Sequence, residues 1–334
     1  MSVKVRIIII LLIINFIPNA FAEVKLTNAL AKDIGQTYGY YLGQNYSLDR
    51  IENNYPHMSG AVLVARTEFS ARFKRSIDGM DLFMTNSINE EWVRIKKQLN
   101  NQISGTLSNT HMSEYQSSQF IELVRERAKG KIESPILETL LMFNSSYENK
   151  PEKEFLDGYK YKYISNGDGK SKGVAFSIEV PKTWLSKEAG RPNIVQKFVS
   201  ENGRGTRMFM VLIHNMPLQP GEEITERDIS DFLNPKEINN FIPDGATADS
   251  YGKLTLEGLP GYWIKYNVNY SRMRDTINME CIGYTIFYKN KMIQLQGQVH
   301  TSINGKIIDK DGLEKYENLF DQMANTLVLT SIYR

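Results

Sequence analysis

Histidine, cysteine and clustered acids are the side chains here that could carry chemistry, and this chain offers few in useful spacing. Its four histidines, His57, His111, His214 and His300, are scattered, with no i, i+4 pair of the kind that grips zinc from one helix face. His214 and His300 lie near the ends of expected strands and could meet, but two imidazoles without a third donor make no metal set. The single cysteine, Cys281, sits in the strand-like run from Met279 to Tyr284. It reads as a buried, inert thiol, with a disulfide between two chains as the sharper alternative. Glu222, Glu223, Glu226 and Asp228 look like an acid–base cluster, yet acids in a first helical turn complement the helix dipole, so capping is the expectation. Asn166-Gly167-Asp168-Gly169 lacks the spaced carboxylates and closing glutamate of a calcium loop. Asn202-Gly203-Arg204-Gly205 reads as a turn between strands, with Arg204 and Arg207 as turn charges rather than an anion clamp. The sequence has no G-x-S-x-G elbow, H-E-x-x-H helix, phosphate-binding glycine loop or paired-cysteine motif. No catalytic residue, cofactor site or metal ligand is assigned.

A different pattern occurs in Ile34 to Gly43, where Gly35, Gly39 and Gly43 recur every four residues beside Tyr38, Tyr40 and Tyr41. On a helix those glycines share one face. Each costs roughly 1 kcal/mol against alanine in a helix interior, so some close approach should offset them. Tight crossing inside a bundle is the plain account, and a docking face bordered by the tyrosines the sharper one. Asp33, Gln36 and Gln44 interrupt the segment, which disfavours membrane packing of the small-xxx-small type.

The elements that hold these residues differ between the two halves. From Leu26 to about Asn149 the apolar residues keep helical spacing, which predicts a bundle of five or six helices over residues 23–150. Pro56 should end a short helix begun near Ser47, and a long helix should run from Ser59 to about Met84. Ser87 with Glu90 reads as a capping box ahead of the stripe Ile88, Trp92, Ile95, Leu99, Ile103. Ser113 with Gln116 repeats it, and Ser134-Pro135 should start another helix.

After Asn149 the period shortens to two. Tyr159 to Tyr163 alternates tyrosine and lysine, an edge strand that opens a short linker over residues 151–172. Seven strand candidates follow between Ala175 and His300, broken by a helix over Thr225 to Phe241, kinked at Pro235, and closed by a helix over Asp311 to Leu329. Residues 173–334 then form an antiparallel sheet covered by helices.

Residues 1–22 carry a basic start (Lys4, Arg6), an apolar run from Ile7 to Ile17 and the cleavage pattern Ala20-Phe21-Ala22, so a signal peptide is expected, with the mature chain starting at Glu23. The run is short against the roughly 20 residues a spanning helix needs, so the mature chain is not expected to cross a membrane. The whole chain has 40 basic and 38 acidic residues. Losing Lys4 and Arg6 balances them, which argues against nucleic acid as a partner.

Phe176-Ser177-Ile178-Glu179-Val180-Pro181-Lys182-Thr183-Trp184 has the F-x-I-x-x-P-x-x-W opening of the PsbP-like superfamily, which includes DcrB-type bacterial proteins and a nuclear-import factor that binds a small GTPase. Gly258-Leu259-Pro260-Gly261-Tyr262-Trp263 at a strand turn, the Tyr284 to Val299 hairpin and the C-terminal helix fit the same pattern. The resemblance covers about half the chain. It implies an α/β/α sandwich serving as an accessory or binding module, with no shared active site to transfer.

The combined expectation is an α+β chain: an N-terminal helical bundle, then a PsbP-like sandwich with an antiparallel sheet. Its role would be that of a periplasmic or secreted, non-enzymatic accessory protein that docks an envelope or secreted protein. A small-molecule or lipid carrier is the alternative, and an enzyme of unfamiliar type ranks third.

Overall fold

A computed structural model describes residues 25–219, 221–272 and 275–333. The expected signal peptide, with Ala20, Ala22 and Glu23, lies outside the described residues. The chain divides into a helical unit, Leu26–Asn149, and a second unit that holds Lys150–Arg334.

In the helical unit, α1 (Asn28–Asn54) opens on Thr27, whose hydroxyl accepts the Leu30 amide at 3.2 Å. The helix does not break near Ser47, because Leu48 and Ile51 continue the buried stripe begun by Leu30 and Ile34. Pro56 instead starts a 3-10 turn, Pro56–Met58. Helix α2 (Ser59–Leu107) is helical except at Ile88 (φ −149°, ψ 47°). Across that residue Trp92 Nε1 donates to Asp81 Oδ1 at 2.9 Å, and Lys96 Nζ donates to the same oxygen at 2.7 Å. Residues 15 apart stand about 22 Å apart on a straight helix. The chain therefore folds back at Ile88 into two limbs, residues 59–87 and 89–107. The expected capping box does not form, since the Ser87 hydroxyl donates to the Phe83 carbonyl at 2.8 Å. Asp81 clamps the reversal in its place.

Helix α3 (Glu114–Ala128) has the Ser113–Gln116 capping box in both directions. Short helices α4 (Ile136–Met142) and α5 (Ser145–Asn149) complete the unit. Ser134 does not cap α4: Pro135 occupies the N-cap position after a cis bond, and no side chain accepts there.

Within the helical unit, the close backbone approach involves a glycine outside the 35-39-43 stripe. A Cβ on Gly79 of α2 would lie 2.2 Å from the Phe143 carbonyl oxygen, whereas one on Gly35 or Gly43 would meet nothing within 4 Å. Opposite signs are expected in chemical denaturation. Gly79→Ala should destabilise by about 1–3 kcal/mol through overpacking, and Gly43→Ala should stabilise by about 1 kcal/mol through helix propensity. A stable Gly79→Ala protein would show that Phe143 yields freely.

The second unit starts with α6 (Glu152–Leu156) and β1 (Lys160–Ser165). Strand β1 pairs antiparallel with β2 (Phe176–Pro181) in a two-stranded sheet, with Tyr161 and Tyr163 against the core and Lys160 bridging Glu179 at 2.7 Å. The larger sheet has eight antiparallel strands. Its path is β3 (Leu185–Lys187), β4 (Ile194–Val199), β5 (Arg207–Asn215), β9 (Lys291–Ile303), β8 (Asp275–Tyr288), β7 (Leu259–Arg272) and β6 (Ala246–Leu256), with β10 (Lys306–Ile307) on β9. A one-turn helix, α7 (Ser200–Gly203), joins β4 to β5.

Each face of the large sheet has its own core. Phe209, Val211 and Ile213 of β5 meet Tyr316, Leu319 and Phe320 of α9 (Gly312–Asn325) on one side, where Trp184 stands edge-on to Phe320 at 6.0 Å. On the other side Tyr262, Ile264 and Tyr266 of β7 meet Ile229 of α8 (Glu226–Phe232) and Ile238 of a following 3-10 turn. Helix α8 stops at Phe232 rather than kinking at Pro235, because the residue before a proline is pushed out of helical geometry. The α+β class and its antiparallel sheet are present.

Candidate functional site

Gly35 and Gly39 form the floor of a groove of about 420 Å³ between α1 and the second limb of α2. Leu99, Ile103 and Leu107 form its apolar wall, and Gln36, Gln102 and Thr106 its uncharged rim. The reversal at Ile88 brings that limb beside α1, where a Cβ on Gly39 would reach Leu99 at an ordinary 3.8 Å. The Arg50 guanidinium donates to the Leu107 carbonyl, tying the limb's end to α1. Gly43 opens to space but is not part of this lining.

The three tyrosines are turned to other tasks. Tyr38 meets Trp92 edge-on at 5.1 Å, and Tyr41 stacks on Phe69 at 6.4 Å. Arg127, from α3, lies 4.6 Å over the Tyr40 ring and donates to Gln44 Oε1 at 3.1 Å. Burial pushes the Tyr40 phenol up to about 12 and raises Tyr38 as well, with Asp81 adding to the latter. All three are half-buried fasteners of the bundle, so the glycines and the second limb, not the tyrosines, make the groove.

In the second unit Asp228, of the suspected acid cluster, caps helix α8. Thr225 and Asp228 form a reciprocal capping box, and Glu222 accepts the Gln219 amide at 2.8 Å. The two strand-end histidines do not meet. His214 pairs with Met292 on β9, while Arg207, at the far end of β5, pairs with Val299 beside His300. Seven residues of strand, about 23 Å, separate them.

Arg207 is no free turn charge. It donates to Asp309 Oδ2 at 2.5 and 3.1 Å and to Glu201 Oε1 at 2.6 Å, and lies 5.2 Å from the Tyr316 ring. Glu201 and Asn202, at φ 55° and 53°, hold left-handed backbone in the turn leading to it. Cys281 is 1% exposed, and burial pushes its thiol up to about 12. That matches the inert reading and leaves no room for a second chain's thiol.

Cys281 nonetheless lines a cavity of about 30 Å³ with Met279, Tyr266, Tyr270, Gln296 and Gln298, and Asp244 stands exposed at its rim. Sequence inspection passed over this group, although Met279-x-Cys281 and Gln298-x-His300 carry the i, i+2 spacing that puts two side chains on one sheet face. Among the described residues no three His, Cys, Asp or Glu side chains converge as a metal set. Among them, too, no helix is long and apolar enough to cross a membrane.

No family model matches the chain, and no curated protein sequence matches it. Solved structures do. Cyanobacterial PsbP from Synechocystis sp. is 15% identical with a TM-score of 0.32, covering 51% of this chain and 92% of its own. LpqN, involved in cell envelope biogenesis of Mycobacterium tuberculosis, is 13% identical at 0.31, covering 54% and 96%. The Ran-binding protein Mog1p of Saccharomyces cerevisiae is 7% identical at 0.31, covering 52% and 97%. PsbP is thus among the structural neighbours of the C-terminal half, residues 160–330 or so. The resemblance noted at Phe176 to Trp184 falls within that stretch.

Proposed function

We propose that this is an exported, non-enzymatic accessory protein whose helical unit docks an apolar ridge of another envelope or secreted protein in the Gly35–Gly39 groove. The observation that carries the proposal is the open space over those glycines. Two turns of α1 forgo side chains at a cost of roughly 1 kcal/mol each; a Cβ on Gly35 would meet nothing within 4 Å and one on Gly39 only Leu99, at 3.8 Å. An apolar floor and wall with an uncharged rim suits one face of an amphipathic helix.

Arg207 and Tyr284, two groups whose pKa is raised, are each committed to a fixed partner. Asp309 and Arg207 are paired with each other, and the Tyr284 hydroxyl is bonded to Asp321 at 2.5 Å. These pairs fasten strands to α9.

Gly39→Leu tests the reading, because its Cβ is accommodated at 3.8 Å from Leu99 and the rest of the side chain adds bulk at the groove floor. Crosslinking pull-down from intact cells should recover one envelope protein with the parent chain and at least about tenfold less with the variant, as expected for loss of a central contact. Equal recovery by a folded variant would refute docking at this groove. The groove's volume also lies within the roughly 300–1,000 Å³ of ligand pockets. Native mass spectrometry of the purified protein would then show a bound lipid or small molecule displaced by the same substitution.

A further inference from the structure

We propose that the pocket over β7, β8 and β9 receives one primary ammonium group on an alkyl stem, with Gln298 Oε1 as its buried acceptor and Asp244 as its rim charge. This site is separate from the groove on α1, in the other unit of the chain. Three neighbouring strands build its floor. Gln298 of β9 opposes Cys281 of β8, and Cys281 opposes Tyr266 of β7. Gln296 and Tyr270 stand an even number of residues from Gln298 and Tyr266, which puts them on the same sheet face, and all of these line the cavity. The opposite wall is Pro243 and Asp244, just ahead of β6, in a turn where the Ala246 amide donates to the Pro243 carbonyl at 2.9 Å.

Gln298 points to a ligand. Its side chain is fully enclosed, at 0% exposure, and its nitrogen is already committed: it donates to Met279 Sδ at 3.8 Å and lies 3.3 Å from His300 Nε2. The oxygen of the same amide has no hydrogen-bond partner, on a side chain that lines the cavity. A buried acceptor left unbonded is costly, and such groups are rare in native proteins. The cavity beside it measures about 30 Å³, close to the roughly 30 Å³ that one water occupies in the liquid. An ammonium head is of that size, whereas a quaternary ammonium ion is far larger. Gln296, 3% exposed, brings a second amide to the same space.

Charge selects a cation over a neutral donor. Among the described residues that line the cavity, Asp244 is the one carboxylate, and none is Lys, Arg or His. Asp244 stands exposed at the rim, where it draws a cation in without being buried itself. Tyr266 and Tyr270 line the space as well, and the face of an aromatic ring attracts a cation. The Tyr266 hydroxyl is taken by the Cys281 sulfur, so this wall offers its ring and not a donor. An –NH3+ group has three donors and no acceptor, the complement of an amide oxygen within and a carboxylate at the mouth. Its stem would leave past Asp244 to solvent, so the charge does not enter the core unpaired.

Isothermal titration calorimetry of the purified protein at neutral pH tests the site with n-butylamine, which is protonated there. Potassium chloride, n-butanol and tetramethylammonium chloride serve as comparisons of charge, shape and size. Butylamine should bind at one site per chain, and each of the other three at least about tenfold more weakly. Gln298→Met keeps an unbranched side chain of similar length and removes the acceptor. It should weaken butylamine at least about tenfold, as loss of a hydrogen bond to a charged group does. Asp244→Asn should weaken it by about two- to fivefold, the range of an exposed charge, and added salt should shrink that difference. Circular dichroism establishes that each variant is folded. A tripeptide with a central lysine and blocked ends separates the two sources of such a head: tighter binding than butylamine assigns the site to a lysine side chain of a partner, weaker binding to a free alkylamine. No binding of butylamine, equal binding of butanol, or full affinity in folded Gln298→Met would overturn the assignment, the second by reducing the pocket to a place for water.

Discussion

Arg207→Met is expected to lower the stability of the second unit by about 3–5 kcal/mol, the cost of leaving one member of a buried ion pair alone. Asp309 would lose both hydrogen bonds from the guanidinium and remain 6% exposed. Its other oxygen receives the amides of Asp311 and Gly312 at 3.1 and 3.2 Å, so the pair also anchors the start of α9. Acid dependence supplies the sign. Burial pushes the Asp309 carboxyl up, but the Arg207 hydrogen bond and charge outweigh it and hold the group below its ordinary range. A depressed carboxyl contributes stability that is present above its unfolded pKa of about 3.9 and is lost as pH falls through the folded value. In Arg207→Met the buried carboxyl keeps only the weaker influence of Lys315, its pKa rises, and acidification from neutral pH should restore part of the lost stability. Urea denaturation of both proteins at neutral and mildly acidic pH reads both effects. A loss under about 1 kcal/mol, or parallel pH profiles, would remove the pair from the list of fold-holding contacts.

The second large effect is expected at Gly297. On central strand β9 a Cβ at this position would lie 2.4 Å from the Phe320 ring, on the helix that covers the sheet. Gly297→Ala should cost about 1–3 kcal/mol by forcing that ring from its place. Phe320 is fully buried, stacks with Phe209 at 5.8 Å and meets Trp184 edge-on, so it has little room to retreat. Combining Gly297→Ala with Phe320→Leu should give a smaller loss than the two single effects added. Additivity within about 0.5 kcal/mol would show that the two positions do not compete for the same space.

Periodicity revealed much of the architecture. The switch from helical spacing before Asn149 to alternation after it coincides with a real change of unit, and the Ser113–Gln116 box is a local hydrogen-bond pattern that needs no tertiary help. What stayed hidden depends on long-range contact. Ser87 and Glu90 have the right spacing for a cap, but the reversal at Ile88 is held by Asp81, six residues earlier, through Trp92 and Lys96. Glycine spacing suggested close packing on α1, while the glycine of the helical unit that meets backbone is Gly79, an isolated one with no pattern to announce it. Arg207 looked like a turn charge because its partner Asp309 lies 102 positions away.

Strand β2 also has consequences for the order in which the second unit is made. The Glu179 amide donates to Thr326 Oγ1 across 147 positions, the Ala175 amide to Ser331 Oγ across 156, and Ser177 bridges Val328. The first core strand is therefore closed by residues about 150 positions further along the chain. Contacts of such separation are slow to form, and none of these can form before Thr326 to Ser331 have been made. During synthesis the helical unit, whose segments all emerge early, has its full set of partners long before the sheet has its own. That delay leaves the second unit without its closing contacts until Thr326 to Ser331 have left the ribosome.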